Sequence, residues 1–299
     1  MRAVILAHFD LHGRIDDYVV SALREYRKVA DLLVLVSAGA TSVPGDVRKL
    51  VDRFIARENV GYDFCSWREG IESIGSLAGL DELICVNDSV YGPTRPLGPV
   101  LADPRVANAD MWGMCLSLQG TALRDHQAAP HVQSWFMAFR RPALDSTVFR
   151  SLWSGVVPLQ RKEDLIDRYE IGLSEQFQDA GFRLAAIHDV RTVPRMDWSE
   201  ARSMMSWSSP LRSLRMARRR MRQVTRQNPT EMQPLRLLRQ GVPFLKSSVF
   251  RVNHYRLDLS LVSREFERIS GYDMALVRRH QQRLCDAQGP CGISGRRRT

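Results

Sequence analysis

Two short stretches hold side chains whose types and spacing could do chemistry. In ICVNDSVYGP, residues 84–93, an apolar run ends in Asn87, Asp88 and Ser89 and turns at Gly92-Pro93. A carboxylate flanked by an amide and a hydroxyl offers hard oxygen atoms. These suit Mg²⁺ or Mn²⁺ already held by a diphosphate. Open α/β sheets bind ligands outside the carboxyl ends of their strands, which is where these residues would fall. An Asx-type turn with Asp88 as a helix cap uses the same residues, and both readings stand. Upstream, ENVGYDFCSW (58–67) places Asn59, Gly61 and Asp63 on a turn. Gly61 permits close backbone approach. Asp63 could hydrogen-bond a ribose or base, with Asn59 fixing the loop. An ordinary turn with a helix cap at Asp63 is the alternative.

The elements that must position these residues alternate. Val4–Ala7 reads as a buried strand, followed by a polar loop with His8 and Asp10. A helix starts near Asp16 and carries Tyr18, Val19, Ala22, Leu23 and Tyr26 on one face. Leu32–Val36 is a second strand. Residues 45–57 and 66–76 read as helices, and 81–86 as a strand. This order predicts parallel βαβ units. Further on, 110–118 and 134–141 read as strands and 145–154 as a helix. EDLIDRYEIGLSEQFQDAG (163–181) reads as an amphipathic helix with Gly181 as its C-cap, and FRLAAI as a last strand. Trp67, Trp112, Trp135 and Phe139 are expected in the core.

The chain has 299 residues, 44% hydrophobic and 25% charged, a globular composition. It shows no 18-residue apolar run, and the N-terminal apolar stretch is too short for a signal peptide, so a cytoplasmic protein is expected. Five scattered cysteines without a CxxC pair argue against a disulfide framework or a zinc site. The net charge of +10 is unevenly spread. Residues 1–200 carry 22 basic and 27 acidic side chains, residues 201–299 carry 21 and 6. PLRSLRMARRRMRQVTRQ (210–227) has seven arginines and no acid, with Leu211, Leu214, Ala217, Met221 and Val224 at helical spacing. A solvated charged face and an interfacial helix on an anionic inner membrane both fit. No aromatic-interleaved basic motif is visible, so no nucleic-acid partner is expected.

Taken in order, AHFDLHGRIDDYV, RENVGYDFCSWREG, NDSVYGP, DMWG, QSWFMAF, RYEIGLS, NPT…LLRQGVPFLK and FRVN resemble the rhamnan synthesis protein F family of bacterial polysaccharide glycosyltransferases. The resemblance runs from about residue 3 to 280. It implies an α/β, GT-A-like nucleotide-sugar domain over 1–195; periodicity and composition add a basic helical region over 196–290 and a disordered tail over 291–299. By similarity to related GT-A enzymes, Asn59, Gly61, Asp63, Asn87 and Ser89 belong to the donor pocket, with His8 and Asp10 at the end of the first strand. Asp88 is the metal candidate, for Mg²⁺ or Mn²⁺, and Glu170 the catalytic base. His131 and Gln133 would line the acceptor side. Two departures stand out: the metal motif has one carboxylate, and Tyr169-Glu170 replaces an acidic pair. The implied reaction is inverting transfer of a rhamnosyl or related deoxyhexosyl unit from a nucleotide-diphosphate donor. The implied acceptor is a lipid-linked surface polysaccharide (O-antigen, capsule or rhamnan), met at the inner membrane through 210–227. A non-catalytic partner of a polysaccharide assembly complex is the alternative. NPT and GVPFLK match the family without an assigned role.

Overall fold

A computed structural model of the chain describes residues 1–192 and 227–287. The expected basic helix lies outside the described residues except for Gln227, as does the expected tail.

Three strand–helix–strand repeats build the first half: β1 (Arg2–Phe9), α1 (Asp17–Arg27), β2 (Leu32–Ala38), α2 (Gly45–Arg48), β3 (Arg53–Arg57), α3 (Tyr62–Ile74) and β4 (Glu82–Asn87). The four strands are parallel, in the order β3-β2-β1-β4. A short β5 (Val90–Tyr91) and α4 (Leu97–Leu101) lead to the second half. There β6 (Met111–Gln119), β7 (Gln127–Val132) and β8 (Phe136–Arg140) extend the sheet with antiparallel pairings, β8 lying against β4. Helices α5 (Arg141–Leu144), α6 (Thr147–Ser154), α7 (Lys162–Leu165) and α8 (Gly172–Asp179) follow, and β9 (Leu184–Asp189) returns parallel to β6.

Strands buried on both faces explain the continuous apolar runs. Along β1, Ala3, Ile5 and Ala7 pack with Phe64, Trp67, Phe149 and Phe177 on one side. Val4 and Leu6 face the other side, with Tyr18, Leu23 and Tyr26. This second face is also covered by the C-terminal residues Leu235, Leu237, Phe244, Val262 and Phe266, which share its core. Trp67 and Trp112 are fully buried, and each indole N–H is satisfied, by the Val86 carbonyl and by Glu82 Oε1, both at 2.9 Å.

Two sequence expectations need correction. Residues 45–57 are not one helix: α2 stops at Arg48, and Arg53–Arg57 is the edge strand, with Ile55 opposite Val36. β7, QAAPHV, was not expected; its Pro130 is tolerated because the strand lies at the end of the sheet order. The predicted helix 163–181 is present but not uniform. Ile166–Ile171 forms a widened π-helical turn between α7 and α8, and Glu170 lies in it. Such turns recur at functional sites.

Candidate active site

The carboxyl ends of β1 and β4 meet in a polar corner. Ala7 pairs with Asn87, and the Asp88 N–H donates to the Ala7 carbonyl at 3.2 Å. No helix follows Asp88, so it caps none. Its Oδ2 accepts the Phe9 N–H at 3.0 Å, and its carbonyl accepts the Tyr18 hydroxyl at 3.0 Å. The Asx turn belongs to Asn87, whose Oδ1 accepts the Ser89 N–H at 3.1 Å and hydroxyl at 2.5 Å. Asn87 also donates through Nδ2 to Asp63 Oδ2 at 2.8 Å.

Asp63 reaches this corner because α3 begins at a glycine. Gly61 is left-handed at φ 78°, and a Cβ there would meet Cys65 Sγ at 2.3 Å and Pro158 Cα at 2.9 Å. The turn it makes puts Asp63 in the first turn of α3, where the helix dipole favours an anion. Asn59 remains exposed on the same turn.

The corner is electrostatically tense. Burial pushes the Asp88 carboxyl up to about 7, with the charge of Asp10 adding to it. Burial likewise pushes Asp63 up to about 6, reinforced by Asp88. Asp63, held by Asn87, thus brings a second carboxylate within electrostatic reach of Asp88, where the linear motif supplies one. A divalent cation fits that donor set, since Mg²⁺ sites commonly use one or two carboxylates completed by phosphate oxygens. Among the described residues, no three His, Cys, Asp or Glu side chains converge on a metal position by themselves.

His8 and Asp10 have internal partners. His8 is buried; its Nδ1 meets Ser37 Oγ at 2.8 Å, and burial lowers its pKa to about 4. A neutral imidazole makes no ion pair with Asp88, 3.8 Å away. Asp10 Oδ1 accepts the His12 and Arg14 N–H groups at 2.9 and 3.0 Å, and its Oδ2 pairs with Arg283 at 2.5 Å. Arg283 also holds Asp16, tying the Met274–Ala287 helix to the loop after β1. A cleft of about 1140 Å³ between that helix and residues 13–17 and 42–44 contains none of the predicted site residues.

Glu170, His131 and Gln133 come together in another cleft, of about 950 Å³, with Lys162, Asn228 and Tyr255. The Ser134 N–H donates to Glu170 Oε2 at 2.8 Å, and the Ser134 hydroxyl donates to the same oxygen. Tyr169, which stands where an acidic pair was expected, is buried and anchors the π-helical turn. Its hydroxyl donates to the Val157 carbonyl at 3.0 Å and accepts the Val157 N–H at 2.8 Å. The NPT motif has a visible task here: Asn228 Oδ1 accepts from Gln133 Nε2 at 3.0 Å while capping the Pro229–Met232 helix. The cleft adjoins the polar corner through residues 133–135, because the Asn87 N–H donates to the Trp135 carbonyl at 3.2 Å.

Ser134 and Lys246 were the residues the sequence left without a role. Lys246 arrives on β10 (Leu245–Lys246), which pairs antiparallel with β5. Its amine donates to Ser89 Oγ at 2.7 Å and lies 6.0 Å from the Trp135 ring centre. The GVPFLK motif that contains it was the available signal.

A parallel half-sheet, an antiparallel extension and a polar corner where the two meet define an α/β protein. Residues 33–211, more than half of the chain, match the rhamnan synthesis protein F family, and the chain belongs to that family. The virulence protein VirA of Vibrio anguillarum is 27% identical over 227 residues, covering 74% of this chain and 69% of VirA. Protein y4gN of Sinorhizobium fredii is 27% identical over 135 residues, 45% of this chain and 34% of y4gN. Among solved structures, glucosyl-3-phosphoglycerate synthase from Mycobacterium tuberculosis, in complex with Mn²⁺, UDP-glucose and phosphoglyceric acid, is 15% identical with a TM-score of 0.37. The match covers 63% of this chain and 70% of that one. At that score the likeness is shallow and bears no weight in assigning a reaction.

Proposed function

We propose that this protein moves a rhamnosyl or related deoxyhexosyl unit from a nucleotide-diphosphate donor to a lipid-linked surface polysaccharide, with inversion. The observation that supports this reading best is the placement of Glu170. Its carboxylate is gripped by Ser134 in a roomy cleft, and that cleft adjoins the Asp63–Asn87–Asp88–Ser89 corner. The corner takes the donor and the cleft takes the acceptor. Glu170 removes the acceptor hydroxyl proton as the oxygen attacks the anomeric carbon. The bond to the diphosphate breaks on the opposite face, and its electron pair leaves on the phosphate oxygen. Asp88, with Asp63 beside it, would hold Mg²⁺ or Mn²⁺, which supplies positive charge to the diphosphate. Among the described residues no helix is long and apolar enough to cross a membrane. The basic segment 210–227 would meet an anionic inner-membrane surface, where a lipid-linked acceptor is presented.

The test is calorimetric titration of nucleotide diphosphates and nucleotide sugars, with and without Mg²⁺ or Mn²⁺. Metal-dependent binding that is lost in Asp88→Ala supports a donor corner. A folded wild-type protein that binds none of them, with acceptor lipid present, overturns it.

A further inference from the structure

We propose that Lys246 is the protein's own cation for the donor diphosphate, delivered to the polar corner by the GVPFLK segment. The proposal rests on the corner being the donor site.

Backbone register delivers it. Leu245 pairs with Tyr91 and Lys246 with Val90; the Ser247 N–H donates to the Ser89 carbonyl and the Thr94 N–H to the Pro243 carbonyl, both at 2.9 Å. Residues 243–247 are thereby zipped along 89–94, and Lys246 is set against Ser89, one residue beyond Asp88. Gly92 permits the approach: its φ is +127°, and a Cβ there would lie 2.5 Å from the Pro243 carbonyl oxygen.

The surroundings of the amine point to an anionic ligand. Its contacts are a hydroxyl and the face of Trp135. Among the described residues, no carboxylate comes within ion-pair distance of it, although Asp63, Glu170 and Glu231 act on it from farther off. A half-buried ammonium held by a neutral hydroxyl is incompletely compensated, and burial lowers its pKa to about 8. It stands within electrostatic reach of both Asp63, on the donor side, and Glu170, on the acceptor side. A diphosphate leaving toward the corner would pass its electron pair to an oxygen that this amine can hydrogen-bond. Lys246 stays protonated throughout, and the acceptor's proton goes to Glu170.

The experiment compares wild type, Lys246→Met and Lys246→Arg in calorimetric binding of UDP, dTDP and GDP, and of the matching monophosphates. Loss of one charge-assisted contact should weaken diphosphate binding about tenfold or more in Lys246→Met. Monophosphate binding should change little, and Lys246→Arg should retain most of the affinity. Wild-type-like diphosphate binding by Lys246→Met overturns the role of Lys246 and leaves the donor corner standing. No diphosphate binding by wild type overturns the donor corner, and this proposal with it. If Lys246→Met melts at a markedly lower temperature, reductive methylation of the wild type decides. Protection of Lys246 by saturating diphosphate is the expected result, and an unchanged rate overturns the proposal.

Discussion

Ser134 gives both its backbone N–H and its hydroxyl to one oxygen of Glu170, Oε2. Two donors on one oxygen fix the carboxylate's orientation, as a base that must meet an acceptor hydroxyl requires. Glu170→Gln should bind donor as well as wild type while turnover falls about a thousandfold, within the usual range for losing a general base. Ser134→Ala keeps the backbone donor and should lose roughly tenfold in turnover, with donor affinity unchanged. Single-turnover kinetics beside calorimetry would separate the two effects, and unaltered turnover in Glu170→Gln would remove Glu170 from the mechanism.

Asp88 and Asp63 are pushed up together because both are buried in one corner. A cation should therefore improve donor binding in wild type, and a chelator should reverse that gain. In Asp88→Ala the donor affinity should become insensitive to Mg²⁺ and Mn²⁺, and in Asp63→Asn the response should be reduced. Titrations with and without EDTA report this directly. A full metal response in Asp88→Ala would place the metal elsewhere.

Arg283 joins Asp10 and Asp16 across the fold, with its side chain only 16% exposed. Removing it leaves the buried Asp10 charge without its ion partner, so Arg283→Ala should destabilise by about 3 kcal/mol at neutral pH. Burial opposes the Asp10 charge. Bonds from the Arg14 N–H, Arg283 and the His12 N–H outweigh it and hold the carboxyl below its ordinary value. A carboxyl lowered in the folded state stabilises above its unfolded pKa, and that contribution disappears as pH falls through the folded pKa. The gap between wild type and Arg283→Ala should stay constant from about pH 8 to 5 and shrink below about pH 4. Denaturant melts across that range would detect it; a gap that widens in acid contradicts this account.

Gly92→Ala should cost roughly 2 kcal/mol or more, because the left-handed-side φ and the Pro243 carbonyl oxygen both exclude a side chain. The same variant should weaken diphosphate binding, since the ladder that carries Lys246 starts beside it. Thermal melts with calorimetry test the pairing. Full diphosphate affinity in a destabilised Gly92→Ala protein would uncouple the two.

Arg218, Arg219 and Arg220 sit in the basic segment. Changing all three to Gln should weaken binding to phosphatidylserine-containing vesicles by roughly 3 kcal/mol, at about 1 kcal/mol per charge. Nucleotide binding should be untouched. Equal vesicle binding by wild type and variant would remove the membrane role from these arginines.

Much of the architecture can be read in the linear chain, since burial on both faces writes strands such as VILA and LLVLV as unbroken apolar runs. The π-helical turn at 166–171 hides inside a regular amphipathic pattern, which reports a buried face and not the hydrogen-bond spacing. β3 was misread because Val47 and Val51 continue a helical spacing into an edge strand, and edge strands carry a weak alternation.

By itself, the sequence determined the alternation of elements, the basic character of the last third, and the ordered set of motifs that marks the family. It also placed Asn87, Asp88 and Ser89 at a strand end. Tertiary structure decided what those residues face. Asn87 meets Asp63 from 24 residues away, Ser134 meets Glu170 from 36, Lys246 meets Ser89 from 157, and Arg283 meets Asp10 from 273. Periodicity tells which side of an element is buried. Strand order and register, set by packing of the whole sheet, choose the partner across the gap.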